Sequence, residues 1–172
     1  HINIMATSAA KRVALVTGGN KGIGYHIVDQ LARGDSNLTV LLGSRTSSNG
    51  ESALKSLNSP ANVKSIIIDI DDENSIKKAV EHVKKEYDGL DILVNNAGMA
   101  FKGDAFDEDV VKKTFHTNYY GTLHAIQSFL PIIRPSGKII NVSSATSVSA
   151  LSKMSEETKN KFLDKNITLD QL

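Results

Sequence analysis

Cysteine occurs nowhere in the 172 residues, which excludes disulfides, thiol catalysis and zinc-thiolate sites. Its absence suits a reducing compartment. A surplus of either charge is also lacking, since 20 Lys plus Arg stand against 19 Asp plus Glu, a net charge of +1. That balance exerts no long-range pull on nucleic acid or on an anionic membrane. No apolar run approaches the ~18 residues that cross a bilayer. The stretch Ala6-Thr7-Ser8-Ala9-Ala10 is too short and too weakly apolar for a secretory signal, so the cytoplasm is the expected location. His1-Ile2-Asn3-Ile4 precedes Met5 and reads as an appended remnant, with residues 1–10 forming remnant and tail.

What is present describes an ordinary globular chain, 40% hydrophobic and 23% charged. One domain of this length buries about two-thirds of its unfolded surface. Short apolar, β-branched runs recur at Val13–Thr17, Leu38–Leu42, Val63–Ile68, Asp91–Asn95 and Lys138–Val142. Four of the five show almost no period-two alternation, as expected of strands covered on both faces of a parallel sheet. Segments with helical spacing lie between them. Ile23, Ile27, Val28 and Leu31 mark the first, and Ala53, Leu54 and Leu57 the second. Ile76, Val80 and Val83 mark the third, which stops at Tyr87-Asp88-Gly89. The fourth runs from about Asp107 to Leu130, before Pro131. This alternation predicts right-handed βαβ units in an α/β, Rossmann-type, doubly wound parallel sheet of about five strands, in the order 3-2-1-4-5.

After Ser149 the pattern changes. A polar helical piece spans Ser155–Phe162, and Thr168-Leu169-Asp170-Gln171 has the form of a capping box announcing a helix near Leu169. The expected organisation is a nucleotide-binding domain over 11–148, then the start of a helical insertion over 149–172. A helix announced at the last residues leads to the expectation of a truncated chain whose C-terminal part is missing.

The chemistry begins at the first turn. Strand residues Val13 to Thr17 run straight into Gly18-Gly19-Asn20-Lys21-Gly22-Ile23-Gly24 and then a helix. Glycines let backbone amides approach a pyrophosphate, and a helix N-terminus supplies partial positive charge. The spacing is not that of a Walker loop, because no Gly-Lys-Ser/Thr follows. Glycine needed for turn geometry alone is the competing reading. An NAD enzyme would place an acid about 20 residues past the loop to hold the ribose 2′-hydroxyl. Leu42-Gly43-Ser44-Arg45-Thr46 contains none. Arg45 suits a 2′-phosphate instead, with Lys21 as a second cation, so NADPH/NADP is expected over NAD.

Thr17-Gly18-Gly19-Asn20-Lys21-Gly22-Ile23-Gly24 and Asn95-Asn96-Ala97-Gly98 after the fourth strand resemble the two signatures of the short-chain dehydrogenase/reductase family. The glycine loop, Asp69-Ile70-Asp71-Asp72, Ala97-Gly98-Met99-Ala100-Phe101-Lys102 and Asn141-Val142-Ser143-Ser144 look like its NADPH-dependent carbonyl reductase branch. The resemblance covers the chain from Lys11 onward. It implies reduction of aldehydes, ketones or quinones by hydride transfer. It also implies that Gly18, Asn20, Lys21, Gly22, Ile23, Gly24 and Arg45 bind the cofactor. Asp69 and Ile70 would lie at the adenine, and Asn95, Ala97 and Gly98 at the ribose and central sheet. A helix-capping role before Glu73 is equally open for Asp69. Asn118 matches a catalytic asparagine that holds a relay water, and Ser144 a catalytic serine that hydrogen-bonds the substrate carbonyl. The segment after Ser144 resembles an insertion that implies a monomer.

That family donates its proton from a Tyr-x-x-x-Lys pair, in which lysine lowers a tyrosine pKa of about 10. Four residues after Tyr25, Tyr87, Tyr119 and Tyr120 stand Asp29, Asp91, Leu123 and His124, so no tyrosine here has the partner. The chain is therefore expected to be either part of a reductase or a cofactor-binding pseudoenzyme, short isoform or inactive fragment. His116 and His124 lie roughly 12 Å apart along one helix, too far to share a metal. An uncovered fifth strand is expected to leave the chain weakly stable, self-associating or dependent on a partner.

Overall fold

The computed structural model describes residues 11–101 and 107–171. Residues 1–10, read above as remnant and tail, and Lys102 lie outside them. The chain divides into two compact units between Val142 and Ser143.

The first unit is built on five parallel strands: β1 (Val13–Val16), β2 (Thr39–Ser44), β3 (Val63–Ile67), β4 (Leu90–Asn95) and β5 (Ile133–Asn141). Their order is β3-β2-β1-β4-β5, as the sequence pattern predicts. Connections run through α1 (Gly22–Gly34), α2 (Ser47–Ser56), α3 (Glu73–Tyr87) and a longer helical passage before β5. Alternate residues of one strand feed two cores. Val13 and Leu15 pack with Leu41, Ile76, Val83, Leu93 and Phe129, whereas Ala14 and Val16 pack with Val28, Val40, Leu42 and Val94. All four residues of β1 are fully buried, which explains its unbroken apolar run. Each buried Val or Leu of the strand contributes about 1.5–3 kcal/mol of hydrophobic stabilisation.

The two outer strands depart from that expectation. On β3, Lys64 and Ile67 are exposed, and on β5 Ile140 remains 45% exposed. Among the described residues β3 pairs only with β2, and β5 only with β4. β5 also begins at Ile133, not Lys138. Pairing shifts from Leu90↔Ile133 to Ile92↔Lys138, so residues 134–137 bulge out of register. Pro135, Ser136 at φ 66° and Gly137 hide this first piece from an apolar-run reading.

Helix ends follow local chemistry. Asp72 caps α3 by accepting from the Asn74 amide at 2.9 Å. Its C-terminal cap, Asp88, turns left-handed at φ 61°, one residue before the glycine expected to stop it. The fourth helical passage is not continuous: α4 (Glu108–Phe115) widens into a π-turn (His116–Gly121) before α5 (Thr122–Phe129). A single 3₁₀ turn, Leu130–Ile132, then carries Pro131.

A half-buried network ties the strand starts together. Arg134 donates from Nη1 to Asp91 Oδ2 at 2.6 Å and from Nη2 to the Tyr87 carbonyl. The same Asp91 oxygen accepts from the Val13 amide at 2.7 Å. One guanidinium thus joins β5, β4, β1 and the end of α3.

The second unit holds α6 (Thr146–Lys153), which the sequence reading did not anticipate, and α7 (Glu156–Leu163), within one residue of the predicted piece. Ser155 caps α7 by accepting from the Thr158 amide at 3.2 Å. The announced final helix is a 3₁₀ turn, Leu169–Gln171, with Gln171 Oε1 accepting from the Thr168 amide as a capping box requires.

Two outcomes follow. Arg134→Met leaves Asp91 without its counter-ion and should lower unfolding free energy by about 2 kcal/mol, read from urea denaturation. A change within error would mean that the network does not contribute. The apolar edge of β5 should make the chain associate with rising concentration, and Ile140→Lys should reduce that in sedimentation velocity. A wild-type chain that stays monomeric at tens of micromolar would contradict this.

Candidate functional site

At the C-terminal ends of β1 and β4 the chain leaves the sheet in different directions, opening a crevice in the usual ligand position for open α/β sheets. A cleft of about 600 Å³ occupies it. Its lining includes Gly18, Asn20, Lys21, Gly22, Ile23, Arg45, Asp69, Ile70, Ala97 and Gly98, ten of the twelve residues assigned to a cofactor from sequence. Gly24 and Asn95 are not in that lining.

The mouth is shaped by hydrogen bonds that the sequence reading missed. Thr17 Oγ1 accepts from the amides of Asn96 and Ala97, each at 3.0 Å. Asn96 Nδ2 returns two bonds, to the carbonyls of Thr17 at 2.9 Å and Gly18 at 3.2 Å. The ends of β1 and β4 are therefore locked while the backbone beyond them stays apart. Both residues sit inside the two quoted motifs, so the signal was present but absorbed by its glycines.

Glycine is required here at two places for different reasons. Gly24 packs so tightly that a Cβ would lie 2.4 Å from both Asn96 Nδ2 and the Gly18 carbonyl oxygen. Gly22 adopts φ +56° with open space where a Cβ would stand. Lys21, the residue before α1, makes no side-chain cap, so the helix presents its first-turn amides to the cleft without one. This open, amide-lined cradle fits a pyrophosphate.

β2 delivers Ser44 buried and Arg45 exposed. Lys21 and Arg45 line the same cleft, joined by Asn49 from α2. Neither cation pairs with a carboxylate among the described residues. The loop after β3 supplies the opposite wall. Asp69 accepts from the Asp71 amide at 3.2 Å in a local turn, while Asp72 takes the helix cap, so Asp69 remains available at the wall.

The π-turn sets two further side chains. Thr117 is buried and donates to Asp71 Oδ2 at 3.0 Å, with Met99 Sδ 3.3 Å away. Asn118 clamps the Met99 backbone from both sides, Oδ1 accepting from its amide and Nδ2 donating to its carbonyl, each at 2.8 Å. Gly121 lets the turn pass the Ile70 carbonyl, which a Cβ would approach to 2.7 Å. A widened helical turn at a site is a recurring device. Its aromatic sequence gave no sign of the widening.

Asn95 is 5% exposed and belongs to the sheet. It donates to Asn141 Oδ1 at 2.9 Å across the β4–β5 pairing, and its own Oδ1 has no partner. Ser144 is the second residue of the second unit. It is exposed, and its Oγ accepts from the Thr146 hydroxyl at 2.8 Å and amide at 3.2 Å. No cluster of three metal-ligating side chains occurs among the described residues, and His124 faces Glu73 at 3.5 Å. Burial, and then the nearby Glu86 charge, push the Tyr87 phenol up, away from the direction a proton donor needs.

A family model described as short chain dehydrogenase matches residues 12–157. Carbonyl reductase [NADPH] 1 of Bos taurus is 42% identical over 169 residues, and that of Homo sapiens 42% over 171. Each match covers 96% of this chain and 60% of the relative. Among solved structures, menthone neomenthol reductase from Mentha piperita superposes with a TM-score of 0.79 at 29% identity, covering 95% of this chain and 70% of that one. An actinorhodin polyketide ketoreductase with NADPH gives 0.68 at 26%, covering 78% and 53%. The chain spans about 60% of the length of the curated relatives it matches. On its motifs, its sheet order and these matches, this chain belongs to the short-chain dehydrogenase family.

Proposed function

We propose that the chain binds NADPH in the cleft at the strand ends and forms the cofactor-holding portion of a reductase of aldehydes, ketones or quinones. One observation carries the reading: Lys21 and Arg45 line the cleft with no acidic residue at the end of β2. Arg presents a planar fork suited to a phosphate dianion, and a 2′-phosphate distinguishes NADPH from NADH. Relatives named as NADPH-dependent carbonyl reductases support the choice.

In this reading the first-turn amides of α1 hold the pyrophosphate and Gly22 leaves room for it, while Gly18, at φ +62°, lets the turn pass close against Ala97. Asn20 stands beside Lys21 and Arg45. Asp69 and Ile70 flank the adenine, while Ala97 and Gly98 border the ribose. When bound, NADPH supplies the hydride that reduces a carbonyl carbon. Asn118 fixes Met99 through both ends of its amide, and so holds the loop after β4 in shape. Ser144 accepts both bonds from Thr146, which leaves its own proton free for a carbonyl oxygen.

Reduction also needs a proton, and none of the four tyrosines carries a lysine four residues on. The same observation favours a second reading, in which these residues hold NADPH without turning it over.

Arg45→Ala should weaken NADPH binding about tenfold and leave NADH nearly unchanged, as read by fluorescence titration. Equal losses for both cofactors would remove Arg45 from the 2′-phosphate. With a reactive quinone, the chain should bind NADPH yet show no oxidation above a protein-free control. Sustained turnover would show that another group delivers the proton.

A further inference from the structure

Asn49-Gly50 is the one Asn-Gly step in the sequence, and it lies in the first turn of α2 with Asn49 exposed and lining the cleft beside Lys21 and Arg45. We propose that Asn49 is a site of spontaneous deamidation that converts the cofactor cleft from one favouring NADPH to one that rejects its 2′-phosphate. The second half rests on the cofactor reading above.

Asparagine is thermolabile, and a following glycine removes the Cβ that would hinder its ring closure. The Gly50 nitrogen attacks Asn49 Cγ, a C–N bond forms, and the Cγ–Nδ2 bond breaks with loss of ammonia. Water then opens the succinimide to aspartate or isoaspartate. No oxidant or reductant takes part. Attack requires the first turn of α2 to open locally around the Asn49–Gly50 bond. The Gly50 amide reaches the Thr46 carbonyl at 3.2 Å, and the Asn49 amide reaches Thr46 Oγ1 at 3.3 Å. Both bonds are at the long end of the normal range, at a helix end where fraying concentrates. Lys21 and Arg45 favour the anionic nitrogen that makes the attack.

Packing keeps the labile pair in place. A Cβ at Gly50 would lie 2.0 Å from Ser65 Oγ and 2.8 Å from Ser44 Oγ, so a larger residue would have to turn both hydroxyls aside and glycine gives the closest approach to β2 and β3. The residue that makes Asn49 labile is thus favoured by packing, while Asn49 itself lines the cleft. Either product places a carboxylate beside the two cations proposed to hold the phosphate. It partly neutralises them and repels the incoming dianion. Isoaspartate also adds a methylene to the backbone and loosens the first turn of α2, which follows Arg45. NADH lacks the phosphate and escapes the repulsion.

The test ages the purified chain at mildly alkaline pH, with and without saturating NADPH, and follows each asparagine by peptide mass mapping. NADPH and NADH affinities are titrated before and after. Asn49 should convert faster than every other asparagine, and NADPH should slow it. The aged chain should lose NADPH affinity roughly tenfold and NADH affinity far less. Asn49→Gln, compared with its own fresh sample, should keep its NADPH affinity through the same ageing. Asn49→Asp should show the aged preference at once. An Asn49 that survives while other asparagines convert would falsify the proposal, as would a converted chain whose NADPH affinity is unchanged. A fresh chain that fails to bind NADPH overturns the cofactor reading and with it the switch, while the mass map still decides whether Asn49 is the labile site.

Discussion

Everything at the cleft depends on how the ends of β1 and β4 are held together while the chains leaving them diverge. Thr17 and Asn96 perform this with four hydrogen bonds between two neighbouring strands. Thr17 is 1% exposed, so its hydroxyl and the groups it satisfies are removed from competing water. Asn96 satisfies two carbonyls of the turn that leads into α1. The glycine cradle is therefore not a loose loop. Its entry is fixed by the adjacent strand, while Gly18 and the segment from Asn20 to Ile23 face the opening.

That lock explains why glycine appears where it does. Gly24 lies against the Asn96 amide and the Gly18 carbonyl, so the first turn of α1 closes onto the same lock. Gly22 faces nothing within 4 Å and keeps a backbone amide approachable from the cleft. The two glycines look alike in the motif and serve opposite needs, one contact and one clearance. The same division recurs at the π-turn. Gly121 is there for contact with the Ile70 carbonyl, while Asn118 in the same turn holds the Met99 backbone.

Sheet order, helix placement and most of the cleft lining were legible because they follow from apolar runs and glycine spacing, which act over a few residues. The elements that were misplaced depend on longer-range pairing. β5 begins five residues early because Leu90 recruits Ile133 across a bulge of Arg134, Pro135, Ser136 and Gly137, residues that individually read as a turn. Arg134 reads as a surface cation until the fold brings Asp91 and the Tyr87 carbonyl to it. The π-turn was not legible because its six residues, His116 to Gly121, carry aromatic and polar side chains with no clear apolar stripe whose phase could be followed across it. Thr117 was missed for the same reason, because its partner Asp71 lies 46 positions away.

Holding a cofactor and delivering a proton are separable tasks, and the fold distributes them unequally. The residues proposed for the first task come from the ends of β1 to β4 and from the turns that follow them, all within the first unit. They are preorganised by buried strands and by the Thr17–Asn96 lock, neither of which involves a titrating group. The second task needs a phenol whose pKa is brought down by a neighbouring cation. Tyr87 is moved the other way by burial and by Glu86, and it packs edge-on against His82, not against a lysine. A cleft of this construction, in the proposed reading, keeps its affinity for a dinucleotide whether or not a proton donor is supplied. In the proposed reading, binding therefore reports on the first unit alone, and turnover reports on chemistry that these four tyrosines do not provide.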